Sequence, residues 1–158
     1  MLNLIIADTN IELLSAWSEY FKCFPEVTFE NTSFSDLFLS SENIDAIIMR
    51  WIFAHERYGG EIVKNKSRII HTNEKQKVVP FVVTIPPLDD SILDLDRDYF
   101  EFKCIFQAVI KHNKSEERHK IENLAFCIDF LYGYRDHIPY TEAKSAYKAY
   151  FEYRNKLV

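Results

Sequence analysis

Glycine is scarce in this sequence. There are three glycines in 158 residues, where average usage of roughly 7% would give about eleven. Many α/β proteins use glycine-rich turns after their strands to bring backbone N–H groups close to a phosphate. Gly59, Gly60 and Gly133 are the residues available for that purpose. The shortage argues against a Walker loop or a dinucleotide-binding turn, and the sequence contains neither motif.

Cysteines and long apolar runs are also few. Cys23, Cys104 and Cys127 are odd in number and widely separated, which predicts buried, reduced thiols in a cytosolic protein rather than disulfides. No apolar run approaches the ~18 residues that a membrane span needs, and the first residues lack the basic region of a signal peptide. We therefore expect a cytoplasmic protein with no membrane partner. The histidines show no metal-ligand spacing, so no metal or other cofactor is predicted. His71 lies in a predicted strand and is expected to be a half-buried structural residue.

Acidic residues outnumber basic ones by 24 to 19, giving a net charge of −5. This balance argues against nucleic acid as a partner, because a basic surface is what drives such binding. Hydrophobic residues make up 47% and aromatic residues 15% of the chain. That content is ample for a packed core, and the length predicts a single domain over residues 1–158.

Predicted strands and helices alternate along the chain. Thr9 and Glu12 have the spacing of a capping box, which predicts a helix that ends at Pro25. Loops are expected at 50–60 and 129–137. The predicted strands lie at 2–7, 27–30, 44–49, 67–72, 78–85 and 121–128, and the other helices at 33–39, at 89–112 and from Thr141 onward. The order predicts an α/β protein, a three-layer α/β/α sandwich with a mixed, mostly parallel sheet.

An acidic run occupies the start of the long helix predicted at 89–112. Asp94, Asp96 and Asp98 have the spacing that opens a calcium-binding loop. The sixth position is Tyr99, where such a loop needs glycine, and the twelfth is Ile105, where it needs a carboxylate. We interpret these residues as exposed acids at a helix N-terminus, where they complement the helix dipole.

The two predicted loops, 50–60 and 129–137, both follow strands and are rich in aromatic and charged residues. Ligands of open α/β sheets bind at the carboxyl ends of strands, so these loops are expected to border one crevice. One interpretation is a pocket in which aromatic rings stack on a ligand ring and Arg135 contacts an anion. The other is that the aromatic side chains fill the cavity themselves.

Several short blocks resemble a bacterial branch of the macro domains, the α/β/α modules that bind ADP-ribose. The resemblance rests on residues 7–10, 27–33, 44–48, 56–61, 79–84 and 124–133. It implies a macro-domain-like fold. It also implies a nucleotide site formed by Asp8, Asn10, Ser33, Tyr132, Gly133 and Arg135.

The sequence departs from this family at the functional positions. Thr32 and Ser33 replace the Gly-Asp pair whose carboxylate receives the adenine amino group, and residues 50–52 replace the family's catalytic loop. Asp129 and Leu131 stand where the second ligand loop has glycines. The resemblance therefore implies an altered pocket without the family's hydrolase residues, and no catalytic residue is assigned.

Three functions remain open from the sequence. The first is a binding module with an altered pocket that recognises ADP-ribose or a related nucleotide weakly. The second is a degenerate domain that binds no nucleotide and acts through a protein partner or as a homo-oligomer, with Trp51 and Phe53 filling the cleft. The third is an ADP-ribosyl hydrolase that uses Asp129 or His137 as its base.

Overall fold

The computed structural model describes residues 1–40, 42–115, 119–132 and 139–157. The strands in these ranges are β1 (Asn3–Ala7), β2 (Val27–Glu30), β3 (Ala46–Arg50), β4 (Ile69–His71), β5 (Phe81–Ile85) and β6 (Asn123–Cys127). The helices are α1 (Ile11–Phe21), α2 (Phe34–Phe38), α3 (Trp51–Tyr58), α4 (Arg97–Ser115), α5 (Ile128–Tyr132) and α6 (Pro139–Tyr153). Short 3-10 turns occupy Asp94–Asp96 and Arg154–Lys156.

The six strands form one sheet in the order β2-β1-β6-β3-β5-β4. All neighbouring strands are parallel except β4 and β5, which are antiparallel. The predicted α/β class and the mixed, mostly parallel sheet are therefore confirmed. Helices pack against both faces, an arrangement compatible with a three-layer sandwich.

Alternate residues of each strand contribute to two separate cores, as expected when a sheet is covered on both faces. Leu4 and Ile6 of β1 belong to the first core, together with α1, α4 and α6. Ile5 and Ala7 belong to the second core, together with α2 and α3. Trp17 of α1 is fully buried in the first core, where its ring packs against three phenylalanines, Phe21, Phe102 and Phe126.

The structure corrects the predicted start of two helices. Asn10, and not Thr9, caps α1, because its side-chain oxygen accepts hydrogen bonds from the N–H groups of Glu12 and Leu13. The helix predicted from Asp89 begins at Arg97. Asp89 instead accepts hydrogen bonds from the backbone of Ser91 and Ile92, which forms a local turn ahead of the helix.

Two segments predicted as loops are partly helical. Residues 51–58 of the first loop form α3, and residues 128–132 at the start of the second form α5. The N-terminus of α3 has no side-chain cap, and α5 follows β6 without an intervening residue. Cap residues and a connecting turn are the local signals of a helix start, so their absence explains the error.

The exposure of single residues corrects two further predictions. Cys104 and Cys127 are buried and free, as predicted, but Cys23 is exposed because it follows the last turn of α1. His71, expected to be half-buried, is exposed because β4 is an edge strand. Asp94 and Asp96 are exposed, which agrees with their interpretation as helix-terminal acids.

None of the helices in the described ranges combines the length and apolar character needed to cross a membrane.

Candidate functional site

The crevice where an open α/β sheet usually binds its ligand is occupied by α5. Such crevices form at the carboxyl ends of strands where the chain connections turn in opposite directions. Here β1 connects to β2 on one side, β3 connects toward β4 and β5 on the other, and β6 lies between β1 and β3. Because α5 begins directly after β6, it lies at the carboxyl end of the sheet between β1 and β3, where the connections turn in opposite directions.

Asp8 fixes the start of α5. Its side chain is buried, with a relative exposure of 1%. One carboxylate oxygen accepts the N–H of Asn10 at 2.8 Å, and the other accepts the N–H of Asp129 at 2.8 Å. The Cys127 thiol lies 3.6 Å from the second oxygen. The carboxylate thus joins the end of β1 to the first turn of α5.

The other predicted ligand residues have structural roles or lie outside the described residues. The side chains of Asn10 and Ser33 cap α1 and α2, and Ser33 Oγ accepts the N–H of Asp36 at 3.2 Å. Tyr132 is the last residue of α5. Gly133 and Arg135 lie outside the described residues, as does His137. The assignment of these residues to a ligand site stays a prediction.

Aromatic side chains cover the second-core side of this crevice. Phe130 of α5 stacks on Phe34 with ring centroids 3.8 Å apart and an interplanar angle of 16°. Phe53 of α3 lies 5.3 Å from the same ring, and Phe38 stacks on Phe34 at 5.9 Å. The rings contact one another, so this aromatic cluster (Phe34, Phe38, Phe53 and Phe130) fills the space that a stacked ligand ring would need.

Arg50 fixes the end of α5 from the first-core side. Its Nη1 donates to the carbonyl oxygen of Leu131 at 2.5 Å and lies 3.5 Å from Oε2 of the buried Glu101. This guanidinium binds one of the carbonyl groups that a helix terminus leaves without an intrahelical partner. Arg50 therefore has a structural role here.

A cavity opens beside α5 at the carboxyl ends of β3 and β5. Its volume is about 230 Å³. Trp51 contributes one wall, and Arg97 adds a guanidinium group from the start of α4. We call it the carboxyl-edge cavity; its lining residues are Arg50, Trp51, Pro86, Pro87, Leu88, Arg97 and Glu101.

The two described glycines serve a turn rather than a phosphate site. Gly59 and Gly60 have φ angles of 67° and 92° and follow the last residue of α3. Arg68 Nη1 donates to the carbonyl oxygen of Gly59 at 2.9 Å. A Cβ atom on Gly60 would lie 2.1 Å from the Arg68 guanidinium. Glycine is thus required here by backbone conformation and by the packing of Arg68.

The buried thiols are poor nucleophiles. Burial raises the pKa of Cys127 to about 11, and the adjacent Asp8 carboxylate adds to this shift. Burial also raises the pKa of Cys104. A thiol with a raised pKa has little reactive thiolate at neutral pH. Asp129, one of the two residues that the hydrolase hypothesis uses as a base, is exposed in the first turn of α5. The described ranges contain no cluster of histidine, cysteine and carboxylate groups that would hold a metal ion.

Three depressions in the described surface run along α4. A trough of about 450 Å³ separates α4 from residues 65–69, and it continues toward the start of α4 as a trough of about 300 Å³ beside Leu88 and Ile92. A third, of about 530 Å³, separates α4 from Tyr153 and Lys156 at the end of the chain. Gln107 lines all three, so the depressions adjoin one another along α4. We call this region, from Lys103 to Ser115 with both flanking walls, the α4 surface.

The α4 surface is basic although the protein is acidic overall. Among the described residues its three troughs have no aspartate or glutamate in their lining. Lys66, Lys111 and Lys114 are exposed, and within the described part of the chain no carboxylate is close enough to pair with them. The basic residues that line the troughs are Lys66, Arg68, Lys103, Lys111, His112, Lys114 and Lys156.

Apolar groups lie between these cations. Ile69, Cys104 and Ala108 line the first trough, and Ile110 and Tyr153 line the third. The hydroxyl of Ser67 is buried beside the first trough without a hydrogen-bond partner among the described groups. A surface that combines apolar floors with a basic rim suits a ligand that carries both anionic and apolar groups.

No protein-family model matches this sequence. A search of curated proteins likewise finds none that is significantly similar.

Sequence reasoning missed the α4 surface, although part of its signal is present in the sequence. Lys103, Gln107, Lys111 and Ser115 recur every four residues along the predicted helix, which places them on one face. The flanking cations Lys66 and Lys156 are far away in sequence, and only the fold brings them beside this face.

Proposed function

We propose that this chain is a protein-binding module that recognises an acidic polypeptide segment through its α4 surface. The observation that carries the proposal is the set of adjoining troughs lined by lysine and arginine side chains and, in the described residues, by no carboxylate. In a chain with a net charge of −5, such a local excess of positive charge directs an acidic partner to one place.

The shape of the surface favours a polypeptide over a compact ligand. From Lys103 to Ser115 the helix extends for about 18 Å at 1.5 Å per residue. An extended segment of roughly five or six residues covers that length at about 3.3 Å per residue. The cations lie on both walls and along the ridge of α4. Carboxylate side chains spaced along one segment would therefore meet successive lysines while apolar side chains enter the troughs.

The test is binding of a short fluorescein-labelled peptide of alternating aspartate and leucine to the full chain, measured by fluorescence anisotropy. We expect saturable binding that weakens as salt is added, because exposed charges are screened. The double variant Lys66→Glu/Lys111→Glu should bind at least about tenfold more weakly, since two favourable contacts become repulsive.

The matched control is Lys75→Glu/Lys144→Glu, which makes the same change in net charge at exposed lysines outside the troughs. This variant should bind within about threefold of the unaltered chain. A peptide with asparagine in place of aspartate should not bind. Equal losses in the two variants, or no binding at millimolar peptide, would refute the proposal.

A second proposal keeps the nucleotide hypothesis and rests on the carboxyl-edge cavity. It lies at strand ends where α/β sheets bind ligands, and it combines the Trp51 ring with the Arg97 guanidinium. These are the groups that stack on a base and bind a phosphate. In the first interpretation from sequence, ADP-ribose or a related nucleotide, this cavity of about 230 Å³ would take the base or a phosphate rather than the whole molecule.

Thermal shift with ADP-ribose and ATP distinguishes the two proposals. A nucleotide bound at a hundred times its dissociation constant adds about 2.7 kcal/mol to the free energy of unfolding. The increase in Tm should disappear in Trp51→Ala and Arg97→Ala and persist in Lys66→Glu/Lys111→Glu. If Tm does not increase at millimolar nucleotide, the nucleotide proposal is rejected. The proposal of an acidic polypeptide partner is unaffected by that result.

A further inference from the structure

The chain exposes an acidic, leucine-containing segment of its own. Residues 89–96 lie between β5 and α4, and we call them the acidic leucine segment. The side chains of Leu93 and Leu95 are 68% and 84% exposed, more than any other large apolar residue in the described ranges. Asp94 and Asp96, which flank Leu95, are exposed as well. The two leucines and their flanking carboxylates give this segment both apolar and acidic groups at its surface, a combination complementary to lysines around apolar troughs.

Hydrogen bonds fix the backbone of the acidic leucine segment. The N–H of Asp89 donates to Asn65 Oδ1 at 2.9 Å, and the N–H of Ser91 donates to Asp89 Oδ1 at 3.1 Å. The N–H of Asp96 donates to the carbonyl oxygen of Leu93 at 2.9 Å within the 3-10 turn. Because the backbone of the segment is already fixed, it loses little conformational entropy when a partner binds here.

The acidic leucine segment has the chemistry that the α4 surface lacks. The segment presents carboxylates and leucine side chains, while the α4 surface presents lysines around apolar troughs. Within one chain Ile92 of the segment lines the trough at the start of α4. Asp94 and Asp96 do not reach the lysines at the other end of the helix, because Lys111 lies about 21 Å along α4 from Arg97, where the segment joins the helix. Their complementarity is therefore available only between two molecules.

We propose, on the basis of the proposed function, that the α4 surface binds the acidic leucine segment of a second copy of this chain. A two-fold axis crossing α4 places the two helices antiparallel. Asp94 and Asp96 of each copy then lie near Lys111 and Lys114 of the other, and Leu93 and Leu95 enter the troughs. Both contacts form at once, so the assembly closes as a dimer, the commonest symmetry of homo-oligomers.

The test is the molar mass of the full chain, measured by light scattering after size-exclusion chromatography over a range of concentrations. We expect a dimer that dissociates when diluted or in high salt. The segment variant Asp94→Lys/Asp96→Lys and the α4 variant Lys111→Glu/Lys114→Glu should each have half that mass, because each places like charges opposite one another. The control Lys75→Glu/Lys144→Glu should remain dimeric.

Mixing the two variants is the decisive measurement. In the mixed pair the reversed segment faces the reversed α4 surface, and the two unaltered surfaces face each other. An equimolar mixture should therefore recover the mass of the dimer. This recovery also shows that both variants are folded. Failure of the mixture to dimerise, or a dimeric mass for either variant alone, would overturn the proposal.

The outcomes separate this inference from the function on which it rests. If the unaltered chain is monomeric but the labelled peptide binds and depends on Lys66 and Lys111, only the dimer is refuted. If the chain dimerises, adding the aspartate–leucine peptide should compete and lower the measured mass. A monomeric chain that also fails to bind the peptide refutes both.

Discussion

Charged residues in the interior of this protein are bound by the chain's own groups. The carboxylate of Asp8 binds two backbone N–H groups, and the buried Glu101 lies beside Arg50. An isolated buried charge is costly, so each of these groups needs such partners. The lysines of the α4 surface differ, because in the described structure they lie at an exposed rim without a carboxylate. At the scale of single residues, availability for binding follows from which charges the fold has already paired.

Glu26 provides a prediction about pH. Its carboxylate pairs with Arg154 and accepts the hydroxyl of Tyr150 at 2.6 Å. The bond from Arg154 is the main reason that the pKa of Glu26 falls from 4.5 to about 2. A lowered pKa stabilises the folded state above pH 4.5, and this contribution is lost as the pH falls from 4.5 toward 2. Glu26→Gln should lower the free energy of unfolding by about 2 kcal/mol at pH 7, allowing for screening by solvent.

Urea denaturation at a series of pH values checks this. The difference between the unaltered chain and Glu26→Gln should shrink below pH 4.5 as the carboxylate of the unaltered chain takes up a proton. Glu61→Gln, at an exposed glutamate in the segment after α3, is the control and should change stability little at any pH. A difference for Glu26→Gln that stays constant with pH would contradict the assigned role of this ion pair.

At the scale of elements, α5 depends on tertiary contacts. A helix of five residues has almost no stability of its own in water. Asp8 binds its first turn, Phe130 stacks within the aromatic cluster, and Arg50 binds the carbonyl of Leu131. These three contacts hold α5 at the carboxyl ends of the strands.

Phe130→Ala tests how far the aromatic cluster stabilises this arrangement. Phe130 is half-buried and stacks on Phe34. Its truncation should lower the free energy of unfolding by about 2 kcal/mol, less than the 3–5 kcal/mol typical of a fully buried phenylalanine. Phe151→Ala is the matched control because that side chain is 63% exposed, and it should cost about 0.5 kcal/mol or less. Equal losses for the two variants in urea denaturation would contradict a stabilising role for the cluster.

At the scale of the whole molecule, two cores share one sheet. Successive residues of the same strand point into different cores, as Leu4 and Ile5 do. Neither core can lose its packing without exposing one face of the strands that the other core needs. The charge distribution is also a property of the whole molecule, because a net charge of −5 coexists with a basic α4 surface.

The shared sheet predicts a single cooperative unfolding transition. Trp17 is fully buried in the first core, and in the variant Trp51→Phe it is the remaining tryptophan of the two in the chain. Its fluorescence and the far-UV circular dichroism should change at the same urea concentration. Separate midpoints would show that the first core unfolds independently of the rest.

The strands were predictable because each is a short apolar run, and those of β1, β2 and β6 lie within or at the predicted ranges. α3 was not predicted because its N-terminus has no side-chain cap, and α5 was not predicted because the contacts that hold it join residues distant in sequence. Arg50 and Leu131 are 81 positions apart, and Asp8 and Asp129 are 121 apart. No pattern of neighbouring residues in the sequence indicates such contacts. The candidate site was predictable only in part, because the helical spacing of Lys103, Gln107 and Lys111 is visible but the opposite walls are not.

The sequence by itself determined the α/β class and most of the residues that form the two cores, because apolar periodicity depends only on neighbours along the chain. It also determined that the acids near the start of α4 are exposed. The tertiary structure alone decided that Asp8 binds α5, that aromatic rings fill the crevice, and that Lys66 and Lys156 join the lysines of α4. The physical reason is that hydrogen bonds, ring contacts and electrostatic fields act over distances in space, and the sheet order brings together segments that the sequence keeps apart.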